Sequence, residues 1–242
     1  MSNIIELQPA FLLHSRPFRD TSLLLDFLTP DFGRISAISR GARSARSKNK
    51  SLLQPFTPIQ ISLSGKSELK TLRTVELRQG AIPLKGDRLF SAMYLNEIIV
   101  RLFQSHEADP AFFKAYEEAL FNLNSQEATE IVLRGFELSL LDTLGYGVDF
   151  SSEAHSHDPI DPDSWYYFQE ESGFIKVQES SGVQLEASTA SDIYSGVALL
   201  NIDTRDFSED LTRKTAKQVI RSILANHLGS NPLRSRALFS RS

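Results

Sequence analysis

A chain of 242 residues that is 41% hydrophobic and 23% charged can bury a sizeable core, in one large domain or in two to three small ones. No apolar run approaches the roughly 18 residues of a membrane span, and the lack of cysteine excludes disulfides, thiolate metal sites and a cysteine nucleophile. The net charge of −4 hides a segregation: residues 1–80 hold 12 Lys and Arg against 6 Asp and Glu, residues 81–210 hold 7 against 24, and residues 211–242 hold 7 and no acid.

The first ten residues carry Glu6 and no basic side chain, unlike a secretory signal, so a cytoplasmic protein is expected. The next seventy read as β. Phe11 to His14 is a short apolar run, and Ser22 to Leu28 is a second, ended by the turn signal Thr29-Pro30-Asp31-Phe32-Gly33. Arg34 to Ser39 alternates, and Gln54 to Leu63 alternates through Phe56, Ile59, Ile61 and Leu63, with Pro55 and Pro58 suited to an edge or a strand start. Ser64 to Ser67 reads as a hairpin turn before a strand over Leu69 to Leu77. Five short strands with little helical periodicity fit an OB-fold barrel, although a small open sheet leaves a similar trace.

From about residue 88 the period becomes helical, through Leu89, Phe90, Met93, Tyr94, Ile98 and Leu102, then through Phe112, Phe113, Tyr116, Leu120 and Phe121. Asp109-Pro110 is a capped helix start. Ile131 to Leu144 is apolar around most of its circumference and reads as the buried helix of a small bundle, ended by Gly145 and Gly147. A polar loop over 151–164 precedes a hairpin near 165–177, and a last helix spans roughly 209–228, with Ala216, Val219, Ile220, Ile223 and Leu224 on its core face. The expected class is α+β.

The strongest chemical signal lies between Phe32 and Ser67, a window with Arg34, Arg40, Arg43, Arg46, Lys48, Lys50 and Lys66 and no acid. Cations spaced along a loop between strands can neutralise successive phosphates and release counterions, while serine hydroxyls donate to phosphate oxygens. Lys70, Arg73 and Arg78 extend the track along the next strand. Arg213, Lys217 and Arg221, spaced i, i+4 and i+8, form a second basic stripe on the last helix. Phe18, Phe27, Phe32 and Phe56 are candidates for stacking on bases, with most expected in the barrel core.

Enzyme signatures are missing. Gly145-Tyr146-Gly147 follows a helix and is no dinucleotide loop, and no GxxxxGK[ST] phosphate loop exists. Asp158, Asp161 and Asp163 lack the glycine and glutamate of an EF-hand, and His155 and His157 beside Asp158 have no second ligand pair, so neither a metal nor another cofactor is expected. The rival classes are a metal-dependent nuclease or other DNA-modifying enzyme using carboxylates of the acidic middle, and a scaffold whose basic loop binds acidic proteins.

Several segments, in order and at matching spacing, resemble the RecO family. They include Phe11-Leu-Leu-His-Ser-Arg-Pro17, Thr21-Ser-Leu-Leu-Leu-Asp26, Gly41-Ala-Arg-Ser44, Leu53-Gln-Pro-Phe-Thr-Pro58 and Lys70-Thr-Leu-Arg73. Phe136-Glu-Leu, Leu144-Gly-Tyr-Gly147 and the tail Pro232-Leu-Arg-Ser-Arg236 complete a likeness that spans nearly the whole chain. The resemblance implies an OB-fold DNA-binding domain over 1–80 and a helical domain over 81–242 with a small C-terminal strand and helix part. It implies a recombinational repair mediator, not an enzyme, that binds single- and double-stranded DNA and anneals complementary strands. Its partners would be the acidic tail of single-stranded DNA-binding protein, RecR and, indirectly, RecA, at the bacterial nucleoid and away from membranes. Many members carry a four-cysteine zinc site after the Leu-Gly-Tyr-Gly motif; the cysteine-free segment here is similar to the zinc-less branch. Arg134 matches the family position that holds the acidic tail, a role suited to a cation beside an apolar groove.

Overall fold

The protein is described by a computed structural model for residues 4–44, 47, 49–103, 107–177, 193–229 and 231–239. Five strands, β1 (Ile4–Phe18), β2 (Ser22–Thr29), β3 (Gly33–Ser39), β4 (Ile59–Ser64) and β5 (Lys70–Leu77), close into a barrel in the order β1-β2-β3-β5-β4. The barrel expected from the sequence is therefore present, and closed rather than an open sheet. Three helices follow, α1 (Gly86–Leu102), α2 (Pro110–Leu123) and α3 (Thr129–Thr143), and then β6 (Trp165–Gln169), β7 (Gly173–Lys176), β8 (Ile193–Ser195), α4 (Gly196–Asp203), α5 (Asp210–Leu228) and α6 (Arg236–Phe239).

Closure depends on β1, which is 15 residues long where the sequence suggested a run of four. Its C-terminal half pairs with β2 and its N-terminal half with β4, with register shifts between Leu12 and His14 and between Ile5 and Gln8. Such bulges bend a strand and let one chain serve two neighbours around a tight barrel. They also shift the phase of alternation, which is why the strand is short when read by period alone. The parallel seam is brief: Ala37 and Ile38 of β3 pair with Lys70 and Thr71 of β5. Inside, Ala10, Leu12, Leu25, Phe27, Ile35, Ala37, Ile59, Ile61, Leu63, Leu72 and Val75 make one core.

The compact unit that contains the barrel runs over residues 1–136 and regains 231–242. Phe11, Leu13 and Leu28 are buried outside the barrel core, and Phe11 packs on Phe113 and Tyr116 of α2. Tyr116 donates from its hydroxyl to Asn96 Oδ1 (2.5 Å), and Asn96 Nδ2 donates to the Leu13 carbonyl (2.9 Å). This buried relay satisfies a β1 carbonyl freed by the bulge, and burial pushes the Tyr116 phenol well above its usual pKa. Gly33, at φ 57°, lies where an added Cβ would stand 2.0 Å from the Glu107 carbonyl oxygen, so only glycine lets the chain beyond α1 pass this turn. The same unit recovers the C-terminal segment through Glu97, whose carboxylate accepts from the Arg234 and Ser235 amides (both 2.8 Å) and from the Ser235 hydroxyl (2.6 Å).

The other unit covers 137–230. Its sheet has the order β7-β6-β8. The hairpin near 165–177 is present, whereas β8 and α4 are additions to the elements expected from sequence. Phe174 is fully buried against Phe150, Phe168 and Tyr194. Gly196, which begins α4, has its backbone so close to Asp161 that an added Cβ would meet the Asp161 carbonyl at 2.0 Å. α5 lies where its period predicted, with Ala216, Val219, Ile220, Ile223 and Leu224 all buried.

Candidate nucleic-acid interface

The pleat of the barrel assigns side chains to two faces. Leu25 and Ala37 point into the core, so their neighbours Leu24 and Ile38, which pair with each other, face outward and are half-buried. Arg16 pairs with Leu24, and Thr71 pairs with Ile38, which makes an outer row of Arg16, Leu24, Ile38 and Thr71 across four strands. At the usual strand spacing this row spans about 14 Å. Arg73, exposed and two residues beyond Thr71, continues the outer face along β5. The next row towards the β1–β2 turn has Phe18 opposite Ser22, with exposed Arg40 just past the end of β3. In the other direction lie His14, Asp26 and Ser36, where Asp26 accepts from the Ser36 hydroxyl (2.5 Å) and faces His14 Nδ1 at 3.8 Å.

The β1–β2 turn and the start of the basic loop are bound together. Arg43 donates from its amide to the Thr21 carbonyl (2.9 Å) and from its guanidinium to the carbonyls of Asp20 (3.2 Å) and Arg19 (3.4 Å). Arg19 occupies a left-handed backbone conformation, φ 51°, and its guanidinium lies 5.2 Å from the centre of the Phe18 ring. Arg16, Arg19, Arg40 and Arg43 thus gather at one end of the barrel. Oligonucleotide-binding barrels present their ligand with the β2–β3 face and the β1–β2 and β4–β5 turns. In this chain those elements carry Arg19, Leu24, Ile38 and, in the β4–β5 turn, exposed Lys66, while Arg16 and Phe18 stand at the end of β1 that leads into the first turn.

The remaining residues singled out from the sequence fall into separate groups. Arg34 is half-buried and donates to the Val100 carbonyl near the end of α1 (2.5 Å), so its charge serves the packing of helix on barrel. Lys70 donates to the Gly65 carbonyl (3.3 Å), bracing the β4–β5 turn. Lys50 is exposed, whereas Arg46 and Lys48 lie outside the described residues. Arg78 pairs with Glu117 of α2 at 3.3 Å. On α5, Arg213 donates to the carbonyls of Phe207 (2.7 Å) and Ser208 (2.5 Å) and stands 3.6 Å from Asp210, while Lys217 is half-buried and Arg221 exposed. Arg134 is 6% exposed on α3 and engaged in interactions of its own. Of the stacking candidates, Phe27 and Phe56 are buried and Phe32 packs on the barrel core, which leaves Phe18.

Arg16 and Arg19 fall outside the acid-free window, from which Asp20, Asp26 and Asp31 separate them in sequence. The signal that marks them is the run Arg16-Pro17-Phe18-Arg19 at the first turn of a five-stranded barrel, the position at which such folds hold their ligand.

The acidic middle uses its carboxylates differently. Asp149 accepts from the amides and hydroxyls of Ser151 and Ser152. Burial opposes ionisation of Asp149, yet these bonds outweigh it and hold its pKa below the usual range. Glu153 behaves alike, burial being overcome by the amides of Ser156 and His155. The Ser164 hydroxyl, the Asp163 amide and the Lys176 ammonium bring Asp161 down to about 2. Among the described residues no three of His, Cys, Asp and Glu come together as a metal cluster, and His155 Nδ1 lies 3.7 Å from Glu153. No helix among the described residues is long and apolar enough to cross a membrane.

Two family models together match almost the whole chain, one described as recombination protein O N terminal over residues 1–81 and one as recombination protein O C terminal over residues 84–237. The chain is 40% identical over 236 residues to the DNA repair protein RecO of Psychromonas ingrahamii, covering 98% of each chain. It is 42% identical over 237 residues to the protein of that name from Haemophilus influenzae, covering 97% of this chain and 96% of the relative. For the Vibrio parahaemolyticus protein the identity is 41% over 232 residues, with 96% and 92% covered. With its closed N-terminal barrel and these matches along nearly all of its length, the chain belongs to the RecO family of DNA repair and recombination proteins.

Proposed function

We propose that this protein is a non-enzymatic mediator of recombinational repair that binds single- and double-stranded DNA on the outer face of its barrel. It anneals complementary strands and, with RecR, helps to load RecA onto strands coated by single-stranded DNA-binding protein. Its place of action would be the cytoplasm, at the nucleoid. The observation that carries this reading is the set of exposed arginines, Arg16, Arg19, Arg40 and Arg73, on the barrel's outer face and first turn. Cations held at strand spacing neutralise phosphates with little regard to sequence, and screening two strands from each other lets them pair. Lys50 and Lys66 would extend the track, with Arg46 and Lys48 joining it from the same basic loop; Lys70 and Arg34 would contribute mainly by bracing it. The stripe of Lys217 and Arg221 would offer a secondary contact.

Arg134 would hold the acidic tail of single-stranded DNA-binding protein. Because its guanidinium is covered, binding there requires the tail's carboxylates to replace interactions that the protein now supplies. Strand annealing and fluorescence anisotropy test the whole reading. Annealing in the presence of single-stranded DNA-binding protein should proceed with the intact partner and fall when the partner's acidic tail is removed. Binding of a labelled oligonucleotide should weaken steeply between low and moderate salt; binding that ignores salt would remove the DNA reading.

A further inference from the structure

We infer that the β1–β2 turn is a sensor of unpaired bases: Phe18 stacks on a base while Arg16, Arg19 and Arg40 take the adjoining phosphates, and Arg43 is a positioning residue. This rests on the DNA-binding reading above and adds to it a preference, located in one turn, for the unpaired strand.

Four observations converge. Phe18 is half-buried and, among the described residues, belongs to neither the barrel core nor the aromatic cluster of α2, in contrast to the fully buried Phe11 and Phe27. The Arg19 guanidinium lies over one face of that ring, 5.2 Å from its centre, which steadies the ring and directs stacking to its other face. Arg43 reaches from the loop after β3 to the carbonyls of Arg19 and Asp20, holding the turn in the left-handed conformation seen at Arg19. Finally, the row behind the ring is apolar, with Leu24 and Ile38 half-exposed between Arg16 and Thr71. Phosphate-only binding has no use for an apolar strip beside an aromatic ring. A splayed-out strand has: its bases lie on the ring and strip while its phosphates meet arginines on either side. In a duplex the base faces are stacked on one another and unavailable, so only the arginines would engage. The acid of the turn itself, Asp20, has its backbone carbonyl held by Arg43.

The experiment compares a labelled oligo-dT strand with a labelled hairpin duplex of equal charge, by anisotropy, on the full chain. Phe18→Ala should weaken oligo-dT binding about fivefold or more, the range for losing one stacked base, and leave duplex affinity within about twofold. Phe18→Tyr should restore oligo-dT binding, and the emission of a Phe18→Trp protein should be quenched by oligo-dT and not by duplex. Arg43→Ala, which unsettles both the ring and Arg19, should weaken oligo-dT more than duplex, whereas Arg16→Ala should weaken both ligands alike. Unchanged binding of Phe18→Ala to both ligands, or equal loss on both, overturns the sensor while leaving DNA binding intact. Failure of the unaltered protein to bind either ligand removes the DNA reading and the sensor with it. Retained duplex affinity shows that a variant has folded.

Discussion

The barrel and the 137–230 unit carry opposite charge and spend it in opposite ways. On the barrel, Arg16, Arg40 and Arg73 stand exposed on the outer face or at its edge. In the other unit, Asp149, Glu153 and Asp161 turn back on amides and hydroxyls of their own loop. Net charge counts both kinds alike, although only the first can bind a partner without giving up a structural bond. Arg213 makes the point from the other side: it sits in a basic segment, yet its guanidinium is spent on the carbonyls that lead into α5.

If this contrast is right, the two units can be damaged separately. The largest effect is expected from Gly196→Ala. The new methyl would meet a backbone carbonyl at 2.0 Å, a clash that no rotamer relieves, and it should cost the 137–230 unit about 3 kcal/mol. Thermal unfolding should show the loss while oligonucleotide affinity at low temperature stays near that of the unaltered protein. Loss of DNA binding in this variant would mean that the acidic unit shares in the interface.

Next in size is the double variant Arg40→Ala, Arg73→Ala. Removing two phosphate contacts should lower affinity by roughly tenfold or more and flatten the salt slope on a single strand by about 1.4, equally for all sequences. Arg213→Ala, which removes the same charge from a braced position, should leave both the affinity and the slope unchanged and lower thermal stability instead. A sequence-selective loss in the double variant would show that these arginines read bases.

Much of the barrel was legible because β3 and β4 keep their alternation and β2 is an apolar run ended by the turn Thr29-Pro30-Asp31-Phe32-Gly33, and α5 because its apolar period is unbroken. β1 was not, since its bulges break the period, and neither was β8, three residues that become a strand only by pairing with Trp165 to Tyr167. At the site, Arg40 and Arg73 were visible as charge. Arg16 and Arg19 were masked by Asp26, which in the fold is occupied by Ser36 and His14, and by Asp20 at the turn. Arg34 was over-read for the converse reason: a guanidinium bound to a helix-end carbonyl looks, in sequence, the same as one in water.

The smallest expected effect is the most specific to the acidic loop. Asp161 has its folded pKa near 2, below the ordinary value of 3.8, because Ser164, Asp163 and Lys176 all donate to it. A group with a depressed folded pKa binds fewer protons when folded, so its contribution is complete above the unfolded pKa and disappears as pH falls through the folded one. The carboxylates of Asp149 and Glu153 are shifted in the same direction. Loop 149–164 should therefore hold its structure at pH 5 and loosen progressively between about pH 4 and pH 2. Amide exchange at Asp163, whose N–H donates to Asp161 Oδ1, reads this directly. Exchange there should accelerate over that window relative to the Phe27 amide in the barrel core, and Asp161→Asn should make exchange at Asp163 faster already at pH 5 and flatten its dependence. Protection at Asp163 that persists to pH 2 would mean that the carboxylates do not hold the loop, and that their charge, like that of the barrel arginines, is free for a partner.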